Sequence, residues 1–399
     1  MNMRRFVKHR STLTAAGSIG LAAVFALGLS IAGSASAKDG DDVPTRPTLT
    51  DAEYKAQADE LRGIYSKPSS EWPKAVVDPS VTPVEIGSMP PVVHPKDNPY
   101  TKEKASLGKK LFADPKLSGS GQLACISCHN PELGWGDGLS VSFGHNRQMA
   151  SRNSPTIMNT AAYTHLFWDG RASSLEDQAL SPIVNDKEMN AAFDIVEKRL
   201  NDDETYRKQF KDVFGVDHIS SKEISHAIAC FERTVVSGRS KFDSFIKGKT
   251  HVLSDEAVRG LHVYRTVGSC MNCHSGPNFS DDKFHNLGIS NYGRKFQDLG
   301  RYEVTKDPKD VGAFRTPTLR NVERTSPYMH SGLFEFDEVL TLYNIGMFEI
   351  KRKPSQQDDP LFPTKSPLLK PLGMNDKDVA DLKAFLFSLT EPKERVRRE

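Results

Sequence analysis

Apolar positions recur at the three-to-four-residue spacing of amphipathic helices over about 50–65, 102–112, 174–180, 188–199, 203–211, 221–247, 254–266, 335–344 and 376–389. Long segments rich in Gly, Pro and Asn separate them, and strict apolar–polar alternation is scarce, so few strands are expected. The pattern predicts a mainly α protein with long loops, and loops of that length in a compact chain need something to organise them. After the helix near 50–65, the stretch to residue 97 is rich in Pro and charge, with Pro68, Pro73, Pro79, Pro83, Pro90, Pro91 and Pro95, and is expected to wrap over the body.

The 399 residues suffice for roughly two domains and a sizeable core. With 26% charged and 9% aromatic residues the chain reads as globular with a polar surface, despite an apolar content of only 37%. Lys and Arg number 53 against 51 Asp and Glu, so no global field favours nucleic acid or an anionic membrane. Arg4, Arg5, Lys8 and Arg10 precede a small-residue apolar run from Ala15 to Ala32, and Ala35-Ser36-Ala37 follows as a cleavage site. Residues 1–37 therefore read as a secretory signal, which places the mature chain in the periplasm with a net charge near −2. An uncleaved anchor is the competing reading, since the run is about long enough to span a bilayer. Its many Gly and Ala residues make it weakly hydrophobic, and no later segment could span.

An internal repeat changes the picture. Cys125-Ile126-Ser127-Cys128-His129 is echoed by Cys270-Met271-Asn272-Cys273-His274. Pro155 in Arg152-Asn153-Ser154-Pro155-Thr156 stands thirteen residues before Trp168, and Pro317 in Arg315-Thr316-Pro317-Thr318 stands thirteen before His330. Trp168 and His330 thus occupy equivalent places in two related halves. Each CxxCH string suits covalent c-type haem: the thiols add to the two vinyl groups, and the adjacent His reaches the iron. A zinc site pooling the four cysteines would leave both histidines unexplained. A thioredoxin-like pair would need a strand-to-helix setting that neither neighbourhood suggests. Cys230, within the 221–247 pattern, reads as a buried small hydrophobe. His145, His330, Tyr343, Met347 and Met189 are all candidates for a sixth iron ligand, and spacing does not choose among them.

Over roughly residues 98–392 the chain resembles the bacterial di-haem cytochrome c peroxidase and MauG family. The resemblance rests on Leu107-Gly108-Lys109-Lys110-Leu111-Phe112, Asp114-Pro115-Lys116-Leu117-Ser118-Gly119, both haem strings and Phe167-Trp168-Asp169-Gly170-Arg171. Ser174-Leu175-Glu176-Asp177-Gln178-Ala179-Leu180, Glu188-Met189, Thr318-Leu319-Arg320-Asn321-Val322 and Ser326-Pro327-Tyr328-Met329-His330-Ser331-Gly332 extend it. It implies two cytochrome-c-like domains, peroxidatic over 98–250 and electron-transferring over 251–399, with 38–97 as an extension. It also implies His129 and His274 as proximal iron ligands, Glu188 as distal acid/base and Gln178 as a distal amide. Pro182 would be a wall of the first pocket, Trp168 the stepping stone between haems, and His330 a partner near the second haem. A structural alternative for Glu188 is the first-turn acid of a helix over 188–199. One calcium ion between the halves would take Asn153, Thr325 and Pro327 as oxygen ligands.

The second haem separates the branches of this family. A methionine ligand there belongs to the peroxidases, and a tyrosine to the MauG-like and MbnH-like branch. Glu338-Val339-Leu340-Thr341-Leu342-Tyr343-Asn344 resembles the tyrosine pattern, although the spacing from His330 differs by one residue and Met347 remains an alternative. Gly346 argues against a helix continuing to Met347. His145 lies where the classical peroxidases close the resting first haem, and is expected here to be a loop histidine. Gly268 stands where the amine-dehydrogenase-maturing member has a surface tryptophan. The expected function is peroxide-driven oxidation of an aromatic side chain on a partner protein. Reduction of peroxide with electrons from a small cytochrome or cupredoxin is the alternative, and a closed electron-transfer module is a third reading.

Overall fold

The computed structural model describes residues 43–392, so the signal reading of 1–37 lies outside the described residues. Eleven helices are present among these: α1 Asp51–Tyr65, α2 Lys102–Phe112, α3 Leu175–Val184, α4 Phe193–Asp202, α5 Glu204–Phe214, α6 Ser221–Glu232, α7 Lys241–Ile246, α8 Asp255–Arg265, α9 Tyr302–Thr305, α10 Phe336–Asn344 and α11 Asp376–Phe387. Two three-residue strands, β1 Phe284–Asn286 and β2 Ala313–Arg315, pair antiparallel. The chain is mainly α, and no described helix is long and apolar enough to cross a membrane.

The duplication is visible atom by atom. Gly108 on α2 lies so close to α6 that a Cβ there would sit 1.9 Å from the Ala227 carbonyl oxygen and 2.9 Å from the Phe231 Cβ. Gly260 on α8 repeats this against α11, with the corresponding distances 1.9 Å to Asp381 O and 2.8 Å to the Phe385 Cβ. Asn159 and Asn321 both adopt left-handed φ, 59° and 60°, and donate backbone N–H bonds to Val235 and Leu389 respectively. Their side-chain oxygens then accept from the backbones of Ser237 and Glu391.

Two main apolar cores divide the chain just before α7 rather than at residue 250, because Phe242 and Phe245 pack into the second one and Asp243 pairs there with Arg320. Leu107, Leu111, Phe112, Ile183, Val196, Leu200, Phe210, Ile224, Ile228 and Phe231 make one. Phe242, Val258, Leu261, Tyr264, Phe279, Leu382 and Phe385 make the other, joined by Leu61, Tyr65, Trp72 and Ile86 of the N-terminal extension. That extension is tied down by Arg62, which donates to the carbonyls of Thr250 and Leu253 and to Asp255, and by an ion pair between the buried Arg265 and the half-buried Glu85.

Three elements differ from the sequence pattern. The run over 221–247 is two helices, because the backbone of Val235 and Ser237 is engaged by Asn159 instead of continuing the helical ladder, and Ser240 caps a new start. The pattern over 188–199 becomes helical only at Phe193, so Glu188 lies in the preceding turn and is not a first-turn acid. The single turn α9 carries no apolar period and was not expected.

Gly108→Ala forces a methyl into the Ala227 carbonyl, so loss of about 1–3 kcal/mol is expected, seen as a lower thermal midpoint by far-UV circular dichroism. An exposed glycine such as Gly63, with nothing near its missing Cβ, should tolerate Ala or gain from it.

Candidate haem sites

Each CxxCH string begins a short turn, Cys125–Ser127 or Cys270–Asn272, that places its side chains against a large cavity. Among the described residues all five cysteines are unpaired, so the four motif thiols remain available for thioether bonds. In the first site His129 Nδ1 lies 3.1 Å from the Trp135 carbonyl, and in the second His274 Nδ1 lies 3.0 Å from that of Phe279. Both carbonyls belong to residues with left-handed φ, 63° and 53°. A carbonyl on Nδ1 fixes the tautomer that leaves Nε2 as the ligating atom. Burial lowers the pKa of both imidazoles, which favours the neutral form that an iron ligand needs.

The wall opposite is built by one helix in each half, in the same register. In α3, Leu175, Gln178, Ala179 and Pro182 line the first cavity. In α10, Phe336, Val339, Leu340 and Tyr343 line the second. These are positions one, four, five and eight of each helix, so Tyr343 occupies the place that Pro182 holds in the first half. Met347 does not line the cavity: α10 ends at Asn344, Gly346 turns with φ 77°, and Met347 is buried beside Ile289 and Leu342.

Glu188 also lines the first cavity. Burial raises its carboxyl pKa, against the smaller lowering effects of Arg171 and of Asn185, whose amide donates to Oε1 at 2.8 Å. The loop over 142–150 is pinned to this turn, since His145 N donates to Glu188 O at 2.7 Å and a Cβ on Gly144 would meet Lys187 O at 2.0 Å. The His145 ring itself is not part of the cavity lining, and its Nδ1 is buried without a hydrogen-bond partner.

Trp168 lines both cavities, as do Asn153, Ser154, Pro155, Thr156 and Arg315. Its indole N–H donates to Asn153 O at 2.9 Å, and its own carbonyl accepts from Arg315 N at 2.8 Å. Arg152 clamps the same wall, donating to Asp298 at 2.7 and 2.8 Å and to Asp169 at 2.5 Å. His330 faces the second cavity and stacks on Phe314 at 3.6 Å between ring centroids. Burial lowers its imidazole to about 4, with Asp298 opposing, so it is neutral at physiological pH. Asn153, Thr325 and Pro327 all line the second cavity, and the Asn153 side-chain N–H donates to Leu139 O at 2.9 Å. The Arg152–Asp298 clamp and the paired helix walls were not legible in sequence; the CxxCH strings, Trp168 and His330 were.

Two mostly apolar cavities, each with two unpaired thiols and a neutral imidazole, fit two covalently attached haems. The family profile described as "Di-haem cytochrome c peroxidase" matches residues 102–251. The chain is 40% identical over 339 residues to the cytochrome-c peroxidase IdrP1 of Denitromonas iodatirespirans, covering 77% of this chain and 87% of that protein. It is 39% identical over 304 residues to the methylamine utilization protein MauG of Methylorubrum extorquens, covering 75% and 81%. Its fold matches the crystal structure of a MauG-like protein associated with microbial copper homeostasis, with TM-score 0.68, 31% identity, and coverage of 79% of this chain and 96% of that one. The diheme peroxidase BthA of Burkholderia thailandensis shares the fold at TM-score 0.65 and 22% identity, over 80% and 96% of the two chains. The protein is a member of the di-haem cytochrome c peroxidase and MauG family, an oxidoreductase of two c-type haems.

Replacing Cys125 and Cys128 together by Ala should lower covalently bound haem from two per chain to one, read by the pyridine haemochrome of acid-extracted protein. Cys230→Ala should leave haem content unchanged.

Proposed function

We propose that this protein is a periplasmic enzyme that uses hydrogen peroxide to oxidise an aromatic side chain of a partner protein at long range. The observation that carries this reading is the shared register of α3 and α10, which sets Pro182 and Tyr343 in equivalent places. Proline has no donor for iron, so that wall leaves the first site open to peroxide. A buried tyrosine offers the second iron a hard oxygen ligand that favours its oxidised state and opposes its use as an acceptor from a small cytochrome. Haem supplies the iron at which peroxide is cleaved and holds the two oxidising equivalents.

The side chains carry the proton and positioning chemistry. Glu188, held by Asn185, takes a proton from the near oxygen of peroxide and returns one to the departing oxygen. Gln178 orients that oxygen pair with its amide. Trp168, held between the cavities by the Asn153 carbonyl, is the stepping stone for electrons moving between them. The neutral His330 borders the same wall. A calcium ion on Asn153, Thr325 and Pro327 would tie loops of both halves together and fix their spacing. In this reading the N-terminal half is the peroxidatic domain and the C-terminal half the electron-transfer domain, with residues 38–97 as an added strap.

The second reading is a cytochrome c peroxidase drawing electrons from a small periplasmic redox protein, and the relatives named above include both activities. Near-infrared magnetic circular dichroism of the resting enzyme separates the two. Absence of a methionine-to-iron charge-transfer band is expected, and its presence would move the assignment to the peroxidase. Glu188→Gln should retain both haems while slowing the reaction with stoichiometric peroxide by about 10²-fold or more, measured by stopped-flow absorbance. An unchanged rate would remove Glu188 from the mechanism.

A further inference from the structure

The two halves differ at one further wall position, on the helices that cross at Gly108 and Gly260. Phe231 and Phe385 are equivalent in that crossing, which makes Ile228 equivalent to Leu382 and Glu232 equivalent to Leu386. All four line their cavities. The fold therefore asks only for an apolar side chain at this place, and the second half supplies leucine. The first half supplies a carboxyl group that is 4% exposed. Its Oε2 is buried without any hydrogen-bond partner, an arrangement that costs stability unless the site's occupant or a proton compensates it.

The charged groups near Glu232 do not neutralise it. Arg233, next on the chain, is committed to Glu176 of α3 through two bonds of 2.6 and 2.9 Å. Lys104 of α2 is turned to Asn98 and the Pro99 carbonyl at 3.0 and 2.8 Å. Cys125, the thiol that would carry the haem, is the motif group that senses the Glu232 charge. Burial pushes the carboxyl up to about 8, with Arg233 lowering it and Glu176 raising it by smaller amounts. Glu188 lines the same cavity and acts on the same thiol, but its own carboxyl accepts from the Asn185 amide at 2.8 Å, whereas Glu232 Oε2 has no such donor.

We propose that Glu232 is a redox-linked proton carrier of the first haem site, a positioning residue that couples the charge on that iron to proton release. The inference rests on the haem reading of the first cavity. Loss of one electron to an external acceptor from a haem held in this cavity would be matched by loss of one proton from Glu232 to water. When the electron returns, the carboxylate takes the proton back. The net charge of the pocket around that group is thereby kept constant through each one-electron change, which makes the oxidised state accessible beside a mostly apolar wall. The matching leucine gives the second haem no such compensation.

The test is mediated potentiometry of the intact di-haem protein between pH 6 and 10, beside Glu232→Gln and Glu232→Leu variants. The first-haem midpoint of the parent should fall as pH rises through the neutral-to-alkaline range. It should become independent of pH there in both variants, with the second-haem midpoint unaltered in all three proteins. Redox-difference infrared spectra should show a protonated-carboxyl band lost on oxidation in the parent and missing from Glu232→Gln. A pH-independent first midpoint in a parent carrying two haems would overturn the proposal, as would a slope that survives in the variants. Fewer than two haems in the pyridine haemochrome assay would instead overturn the reading beneath it. Glu232→Leu copies the residue that the second half already accommodates, so it should fold.

Discussion

Everything in this structure hangs on a helix crossing with no side chain between the helices. At Gly108 over Ala227, and again at Gly260 over Asp381, backbone meets backbone at a distance that no Cβ tolerates. That contact fixes each helix pair as a rigid unit, in which a single rotation of one helix would be met by the carbonyl of the other. Once it is fixed, the positions that face the cavities are fixed too, at Ile228 and Glu232 in one half and Leu382 and Leu386 in the other. The remaining wall, from α3 or α10, presents four positions in a common register. The long connecting loops close the rest, held by backbone bonds to asparagines in left-handed conformations.

What could be read from the sequence follows from how local each signal is. The CxxCH strings are complete within five residues, and their chemistry needs no neighbour to be recognised. The helices with clear apolar periods, among them α1, α2, α8 and α11, lie where the pattern puts them. The split between α6 and α7 was hidden because its cause, Asn159, is 78 residues away from Ser237. The start of α4 was hidden for a similar reason: the turn carrying Glu188 is held by His145 N and Gly119 N, both from earlier loops. Register between the halves was the hardest matter. A one-residue difference in the loop after His330 obscures it in one dimension, whereas the equal placement of Pro182 and Tyr343 on their helices restores it in three.

The interface between the cavities shows how a duplicated scaffold acquires direction. Trp168 and His330 follow the same turn, with Phe167 and Met329 both in left-handed φ, 69° and 68°, before them. The tryptophan borders both cavities and is hydrogen-bonded at its indole, so it is held in one orientation. The histidine borders only the second, stacked on Phe314 and kept neutral by burial. Arg152 joins Asp169 of one half to Asp298 of the other, so the wall that carries Trp168 cannot shift without breaking a half-buried ion pair on each side.

The departures from internal symmetry on the cavity walls share one electrostatic sense. The first half has carboxyl groups at Glu188 and Glu232 and a proline where the second half has Tyr343. Carboxyl groups can hold or release protons as charge changes, whereas a tyrosine ligand fixes charge on the metal. A site that must admit a small oxidant and move protons benefits from the former, and a site that must stay oxidised benefits from the latter. These wall differences stand on a backbone frame that repeats to within a few tenths of an ångström at its glycine crossings, so they change the chemistry of each cavity without changing the scaffold around it.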